Sequence, residues 1–480
     1  MVQQQRQRLS KVLGRTDVLA MAFGTMVGWG WVVLPASWVQ EAGVFGAILA
    51  FALGAIMCIF VGLAYAELTP ALPLAGGEMV FAYRGLGYKS AWISAWSITL
   101  AYIGVAAWEG IAIATAIEYI FPIPKIGFLW NISGDDVYAS WAVIGVAGAI
   151  ILSILNYLGI KASAIFQVMA AAGLVFVGIV FFLGGAAFGN PKHLVPFFTD
   201  GRGILNVLMI APSMYIGFDV IPQFAEEMNI PLRRIAYIFI SVIVAAACWY
   251  FLIIIGFSLS APPEVRNNSA VPVADAMAYA FRSNAFGKLL IGGAICGIFT
   301  SWNGFIVAAT RVLFAMGRAK MLPGVFGKVH PKYKTPTASI IFVGIICSLS
   351  PLLGKNALIW LVEACSFGTV VAYLFVALSF VVIAKKERNL KRPFKVKGRK
   401  WFSYVTVVIT VFFIALYLPV VTNPFSWPYQ WLLILGWSGL GLLLAVGTQT
   451  SYGNISDVDR EYMIFGEEYA REEILYQKKS

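Results

Sequence analysis

The chain has 480 residues, 60% of them hydrophobic and only 12% charged. A soluble domain carries about a quarter charged residues, so a water-soluble globular protein is excluded. The net charge of +12 lies in short loops between apolar blocks, a pattern of topology determinants and not of a nucleic-acid groove.

Residues 1–16 are polar and read as a cytosolic N-terminal segment without the order of a signal peptide. Beyond them the apolar blocks reach the roughly 20 residues that a bilayer-crossing helix needs. They predict about twelve spans, near 17–38, 43–66, 90–120, 139–160, 163–188, 204–229, 234–260, 287–317, 337–355, 358–384, 401–422 and 428–446. The expected fold is an all-α polytopic membrane protein.

The first span contains Gly24-Thr25-Met26-Val27-Gly28-Trp29-Gly30, whose three glycines weaken a helix. Unwound backbone at membrane depth is tolerated only where it lines a cavity or is covered by protein. The freed N–H groups of Val27, Gly28, Trp29 and Gly30 could then hold a carboxylate. Glu109 lies midway along the third span beside Trp108. An intramembrane carboxylate recognises an amine, carries a coupling proton, or ties two helices together by hydrogen bonds.

The sixth span has Pro212, Ser213 and Gly217 at its midpoint and is expected to break there, with Tyr215, Ile216 and Gly217 near a ligand. Asp219 follows the break, as a gate or as a cap on the second half-helix. Glu226 and Glu227, near Arg233 and Arg234, read as an inner gate or as surface pairing. In the eighth span, Thr300 and Ser301 could join the carbonyls of Gly24 and Val27 in an oxygen-lined cation pocket, or bond back to their own helix. Phe305 is expected beside the ligand, and Glu363 at an interface. The loop 385–400 carries nine basic residues. Two accessory spans, 401–446, and a cytosolic tail, 447–480, follow the transport core 17–384. An even number of spans puts both termini on one side, and the basic excess makes that side the cytoplasm.

Gly30-Trp31-Val32-Val33-Leu34-Pro35 and Gly217-Phe218-Asp219-Val220-Ile221-Pro222 share the pattern glycine, aromatic, any residue, valine, aliphatic, proline. They sit an odd number of spans apart, so the two repeats have opposite orientations, as in inverted-repeat transporters.

The first-span glycines, Tyr215-Ile216-Gly217-Phe218-Asp219 with Ala225-Glu226-Glu227, Asn303-Gly304-Phe305 through Arg311–Met316, Ser366-Phe367-Gly368-Thr369 and Arg392-Pro393-Phe394-Lys395-Val396 resemble the amino acid–polyamine–organocation superfamily of permeases. The resemblance runs from Asp17 to about Gly447 and implies a five-plus-five inverted-repeat core with two extra helices. It also implies that Glu109 lines the substrate pocket. Two departures stand out. Trp29 stands where family members have a small hydroxyl and Trp31 where they have Ile or Val, either narrowing the site as a cation–π wall or packing on neighbouring helices. The fifth span has Gly173-Leu174 where proton-coupled relatives carry a lysine.

No enzyme constellation is visible: His193 and His330 are in loops, and no phosphate loop, nucleophile elbow or metal-ligand spacing appears. The five cysteines, Cys58, Cys248, Cys296, Cys347 and Cys365, sit in apolar blocks as packing residues without disulfides. The expected function is secondary active transport of amino acids, with an amine or polyamine permease, and a substrate sensor built on the same fold, as alternatives. No cofactor is expected beyond Na+ or H+ as coupling ion. The expected partners are a small amino acid or amine and the lipid bilayer of the plasma membrane, with no nucleic acid. Side-chain selectivity and oligomeric state are not legible.

Overall fold

The computed structural model describes residues 9–466 apart from 10, 419, 420, 422–424, 426 and 454. Residues 1–8 of the expected N-terminal segment, 467–480 of the expected tail and the end of the expected eleventh span therefore lie outside the described residues.

Helices dominate because the apolar blocks cannot leave backbone N–H and C=O groups unpaired in hydrocarbon. Among the described residues nine helices are long and apolar enough to cross a membrane, including Val44–Ala71, Tyr88–Ile120, Leu232–Ser260, Asn284–Arg318 and Ala357–Lys386. Three expected spans have other forms. The first is interrupted, the ninth is a helix Thr337–Leu349 closed by a tight turn of helix Ser350–Leu353, and the eleventh is the shorter Arg399–Ala415. The third span packs extensively against the eighth and tenth, and these form the buried centre. The fourth, fifth and twelfth spans turn Ile150, Ile154, Met169, Phe176, Leu442 and Leu443 outward, as lipid-facing helices do.

Three elements in the connections were not expected. A helix Gly77–Leu86 folds back under the bundle between the second and third spans, with Gly77 to Tyr83 buried. A helix Pro272–Ala280 does the same between the seventh and eighth spans, on the opposite face. Phe128–Ile132 and Asp135–Tyr138 form an antiparallel hairpin in the register Ile132↔Asp135 and Phe128↔Tyr138. Its two turn residues, Ser133 and Gly134, both have positive φ, the geometry that matches strand twist. Trp130 pins this hairpin by donating its indole N–H to the Leu352 carbonyl at 2.8 Å.

The described ends of the chain meet on one face, called here the terminal face. Leu13 pairs with Met228 at the end of the sixth span. The helix Asp457–Phe465 lies on the folded-back helix Gly77–Leu86, with Phe465 against Tyr83 and under the Arg84 guanidinium.

Candidate functional site

The first span is helical over Arg15–Met26, loses its helical path at Val27–Trp29, and resumes at Gly30–Val33 and Pro35–Ala42. The sixth runs Gly201–Tyr215, breaks at Ile216 and Gly217, and continues as a tight helix Phe218–Glu227. Gly30 and Gly217, equivalent in the repeated hexamer, both open a second half-helix. The breaks touch: Gly217 has φ +133°, and a Cβ there would lie 2.7 Å from the Met26 nitrogen. Tyr250 of the seventh span takes up the loose end by donating its hydroxyl to the Met26 carbonyl at 2.9 Å.

Between the breaks lies a small cavity of about 20 Å³. Thr25, Met26, Gly28 and Gly30 line it from the first span; Val105, Trp108 and Glu109 from the third; Ser213, Met214 and Ile216 from the sixth; Tyr250, Ser301 and Phe305 complete it. That volume admits about one water, so a ligand must widen it. Glu109 dominates the chemistry. It is buried, and its Oε1 accepts the Trp29 N–H at 3.3 Å. A Cβ on Gly28 would fall 1.9 Å from that oxygen and 2.7 Å from the Ser301 hydroxyl, so the carboxylate fills the space that only glycine leaves. Glu109 Oε2 is buried and has no hydrogen-bond partner. The Glu109 side chain thus caps the N-terminal end of a half-helix, where N–H groups and the helix dipole favour an anion.

The structure brings Gly28, Gly30, Glu109, Ile216, Ser301 and Phe305 together around the cavity and turns other expected residues elsewhere. Trp29 contributes its N–H, while its buried indole does not line the cavity. Trp31 packs edge-on against Trp249 at 5.4 Å, which is the packing reading of that indole. Tyr215 donates to the Phe51 carbonyl at 3.1 Å and belongs to an aromatic cluster with Phe51 and Tyr250. Asp219 caps the second half-helix by accepting the Gly217 N–H at 2.7 Å. In the expected cation pocket, Thr300 donates back to the Gly297 carbonyl at 2.9 Å, and Ser301 faces Gly28 and Glu109 instead. Gly24 packs on Thr300 and the Gln167 amide, while the Val27 carbonyl and the Leu174 side chain both abut Gly297. The Thr300 hydroxyl thus bonds back to its own helix, and the Leu174 side chain reaches the same glycine as the Val27 carbonyl.

A sequence model described as "Amino acid permease" matches residues 13–437. The chain belongs to the amino acid permease family. Its similarity to single relatives is lower. The permease is 25% identical over 452 residues to the methylthioribose transporter of Bacillus subtilis, which covers 92% of this chain and 94% of that one. It is 27% identical over 418 residues to a branched-chain amino acid permease of the same organism, covering 85% and 88%. It is 25% identical over 411–428 aligned positions to relatives such as the Bacillus subtilis aspartate-proton symporter, for which 428 residues cover 84% and 79%. The family match bears out the resemblance carried by the sequence motifs, and the permease is an amino acid transporter integral to a membrane.

Two closures flank the permease's cavity. On the face opposite the termini, Trp108 lines both the cavity and a vestibule of about 680 Å³ with Glu41, Arg202, Lys355 and Glu363 at its walls. Glu363, expected as interfacial, accepts from the Gln430 amide at 2.6 Å in that vestibule. On the terminal face the closure is ionic. Glu227 meets Arg311 through two hydrogen bonds of 3.1 Å, both side chains buried, and Glu226 meets Arg318 at 2.8 and 3.1 Å. The expected partners Arg233 and Arg234 are exposed instead. The fold brings the eighth span, distant in sequence, closer than residues only a few positions away.

Sequence reasoning missed Tyr250, Met214 and Gln167. Gln167 donates to the Thr300 carbonyl at 2.9 Å and accepts from Asn303 at 2.8 Å, while Asn156 and Ser163 both donate to Asn303 at 2.9 Å. This amide chain ties the fourth, fifth and eighth spans together. The isolated polar residues in apolar blocks were its only signal.

Proposed function

We propose that this permease is a secondary active carrier that moves an α-amino acid by alternating access, and that the cavity between the two helix breaks is its substrate site. The observation that carries this reading is Glu109, which occupies a first-span N–H with one oxygen and keeps the other buried and unpartnered. An incoming amino acid supplies both missing partners. Its carboxylate takes the N–H groups of Val27–Gly30, and its ammonium takes the Glu109 carboxylate. That exchange leaves neither charge unpaired at membrane depth, where an unpaired charge costs several kcal/mol. Ile216, Gly217 and Phe305 then surround the side chain, and Ser301 stays beside Glu109. The names of the relatives span methylthioribose, branched-chain amino acids and aspartate, so family membership leaves the side chain open.

The segment 17–384 forms the transport core in this reading and 401–446 accessory spans. Both termini are cytoplasmic in the plasma membrane, from the basic loop 385–400. The diverging hydroxyls of Thr300 and Ser301 and the apolar Leu174 favour a proton over Na+ as coupling ion. The test is counterflow in proteoliposomes with a panel of L-amino acids and amines, with and without sodium. Saturable exchange of amino acids is expected. Binding by thermal shift with no flux would assign a sensor instead, and selectivity for amines without a carboxylate would assign an amine permease.

A further inference from the structure

Away from the substrate cavity, a pocket opens at the terminal face between the starts of the first and seventh spans. It measures about 370 Å³ and is lined by Arg15 and Leu19 from the first span and by Arg234, Tyr237, Ile238 and Ser241 from the seventh. That size lies within the range of small-molecule pockets, roughly 300–1,000 Å³. Arg15, Arg234, Tyr237 and Ser241 are exposed, so the pocket faces outward from the bundle.

Main-chain bonds hold the two helix starts together. Val12 and Leu13 donate to the Glu227 carbonyl at 2.9 and 3.0 Å, and Asn229 donates to the Leu13 carbonyl at 2.8 Å. Both helices run from there into the membrane, so position along each helix measures depth. Arg15 and Arg234 stand at the mouth. Leu19 and Ile238 lie one turn deeper, and Ser241 lies about 10 Å below Arg234 at 1.5 Å per residue. Ser241 donates its hydroxyl to the Tyr237 carbonyl at 2.8 Å, which leaves no free hydroxyl hydrogen at the deep end.

Charge at the mouth is unbalanced. Among the described residues neither Arg15 nor Arg234 is ion-paired. Acids of this face have other partners: Asp17 accepts the Gly14 N–H at 2.8 Å, Glu226 and Glu227 hold Arg318 and Arg311, and Glu67 holds Arg392 and Arg399. Two guanidinium groups lining one pocket repel each other until an anion joins them, and their planar forks match phosphate oxygens. The basic loop 385–400 adds to the positive field on this side, with the Phe394 ring edge-on to Tyr237 at 6.2 Å. A soluble anion would use the cationic mouth alone. A lipid of the surrounding leaflet uses the mouth and the apolar wall together, with Tyr237 at headgroup level.

We propose that this pocket is a specific site for an anionic phospholipid of the leaflet on the terminal face. The phosphate lies between Arg15 and Arg234, and the first acyl carbons lie on Leu19 and Ile238. The carbonyl that joins the two helix starts belongs to Glu227, whose carboxylate pairs with Arg311 in the closure. A lipid bridging Arg15 and Arg234 therefore supports the closed terminal face.

The test is native mass spectrometry of the full chain in detergent micelles, with dioleoyl phosphatidylglycerol as probe and dioleoyl phosphatidylcholine as zwitterionic control. Wild type is expected to retain one phosphatidylglycerol in clear preference to phosphatidylcholine. Arg15→Gln combined with Arg234→Gln should bind it about tenfold or more weaker. Lys328→Gln combined with Lys332→Gln, which removes equal charge from exposed positions elsewhere on the terminal face, should bind as wild type does. Equal retention of both lipids by wild type overturns the proposal, and so does an arginine variant that binds like wild type. Equal loss in both double variants overturns it in favour of diffuse charge, and displacement by equimolar glycerol 3-phosphate in favour of a soluble anion. Should the arginine variant fail to fold, photoactivatable phosphatidylglycerol on wild type decides. Crosslinks on the peptide carrying Tyr237 support the site, and crosslinks confined to other peptides refute it.

Discussion

Glu109 Oε1 takes the Trp29 N–H at 3.3 Å, one of the donors at which a substrate carboxylate would dock. Glu109→Gln keeps the shape and one acceptor but removes the charge that would pair with an ammonium. A charge-assisted hydrogen bond is worth roughly 1.5–3 kcal/mol, so affinity for amino acids should fall about ten- to a hundredfold while the thermal unfolding of the empty protein changes little. Calorimetric titration of purified variant and wild type measures this, and equal affinities would retire the substrate role. Gly28→Ala places a carbon 1.9 Å from the Glu109 carboxylate. Overpacking of this kind costs about 1–3 kcal/mol, so the variant should melt lower and bind poorly. A melting temperature restored in Gly28→Ala combined with Glu109→Ala, relative to Gly28→Ala alone, would identify the clash as the cause. Glu109 was legible in the sequence because a lone acid in an apolar span is conspicuous. Tyr250 was not, because nothing local says that a tyrosine of the seventh span will meet a carbonyl of the first.

At the scale of elements, the two broken spans were readable from glycine spacing and the hexamer repeat, and the structure interrupts both helices at those glycines. The closing ion pairs were only half readable. Glu226 and Glu227 stood out, but their partners Arg311 and Arg318 lie on a helix more than eighty residues away, and sequence proximity pointed to Arg233 and Arg234. The folded-back helix and the hairpin were hidden for another reason, since short connections carry too few residues to display a hydrophobic period. Removing one partner of a buried ion pair costs about 3–5 kcal/mol. Arg311→Ala should therefore destabilise the state closed on the terminal face. A thiol introduced as Phe305→Cys should then be labelled faster from that face than in the parent, and unchanged labelling would show that the pair is not part of the closure.

Across the whole molecule, hydropathy alone located the spans closely. The third was expected at 90–120 and is Tyr88–Ile120, and the eighth at 287–317 and is Asn284–Arg318. Bilayer thickness imposes that length, whereas which spans touch is decided by side-chain packing that no single segment records. Orientation is a separate matter of charge. The basic loop 385–400 is anchored to the second span through Glu67, which meets Arg392 at 3.0 Å and Arg399 at 3.2 Å. In intact cells an impermeant thiol reagent should label Asn267→Cys and leave Lys395→Cys untouched, in a background without native cysteines. The reverse pattern would invert the assigned topology.

The single indole of Trp108 between cavity and vestibule has a kinetic consequence. Opening toward the vestibule would need side chains such as Trp108 to turn, whereas the other exit would need two salt bridges to part. The barriers of the two half-cycles are therefore unequal. Ligand should equilibrate rapidly with the compartment facing the vestibule and be handed slowly to the other, so the opening of the salt-bridged side sets the turnover, while the two unidirectional fluxes stay equal wherever no gradient exists.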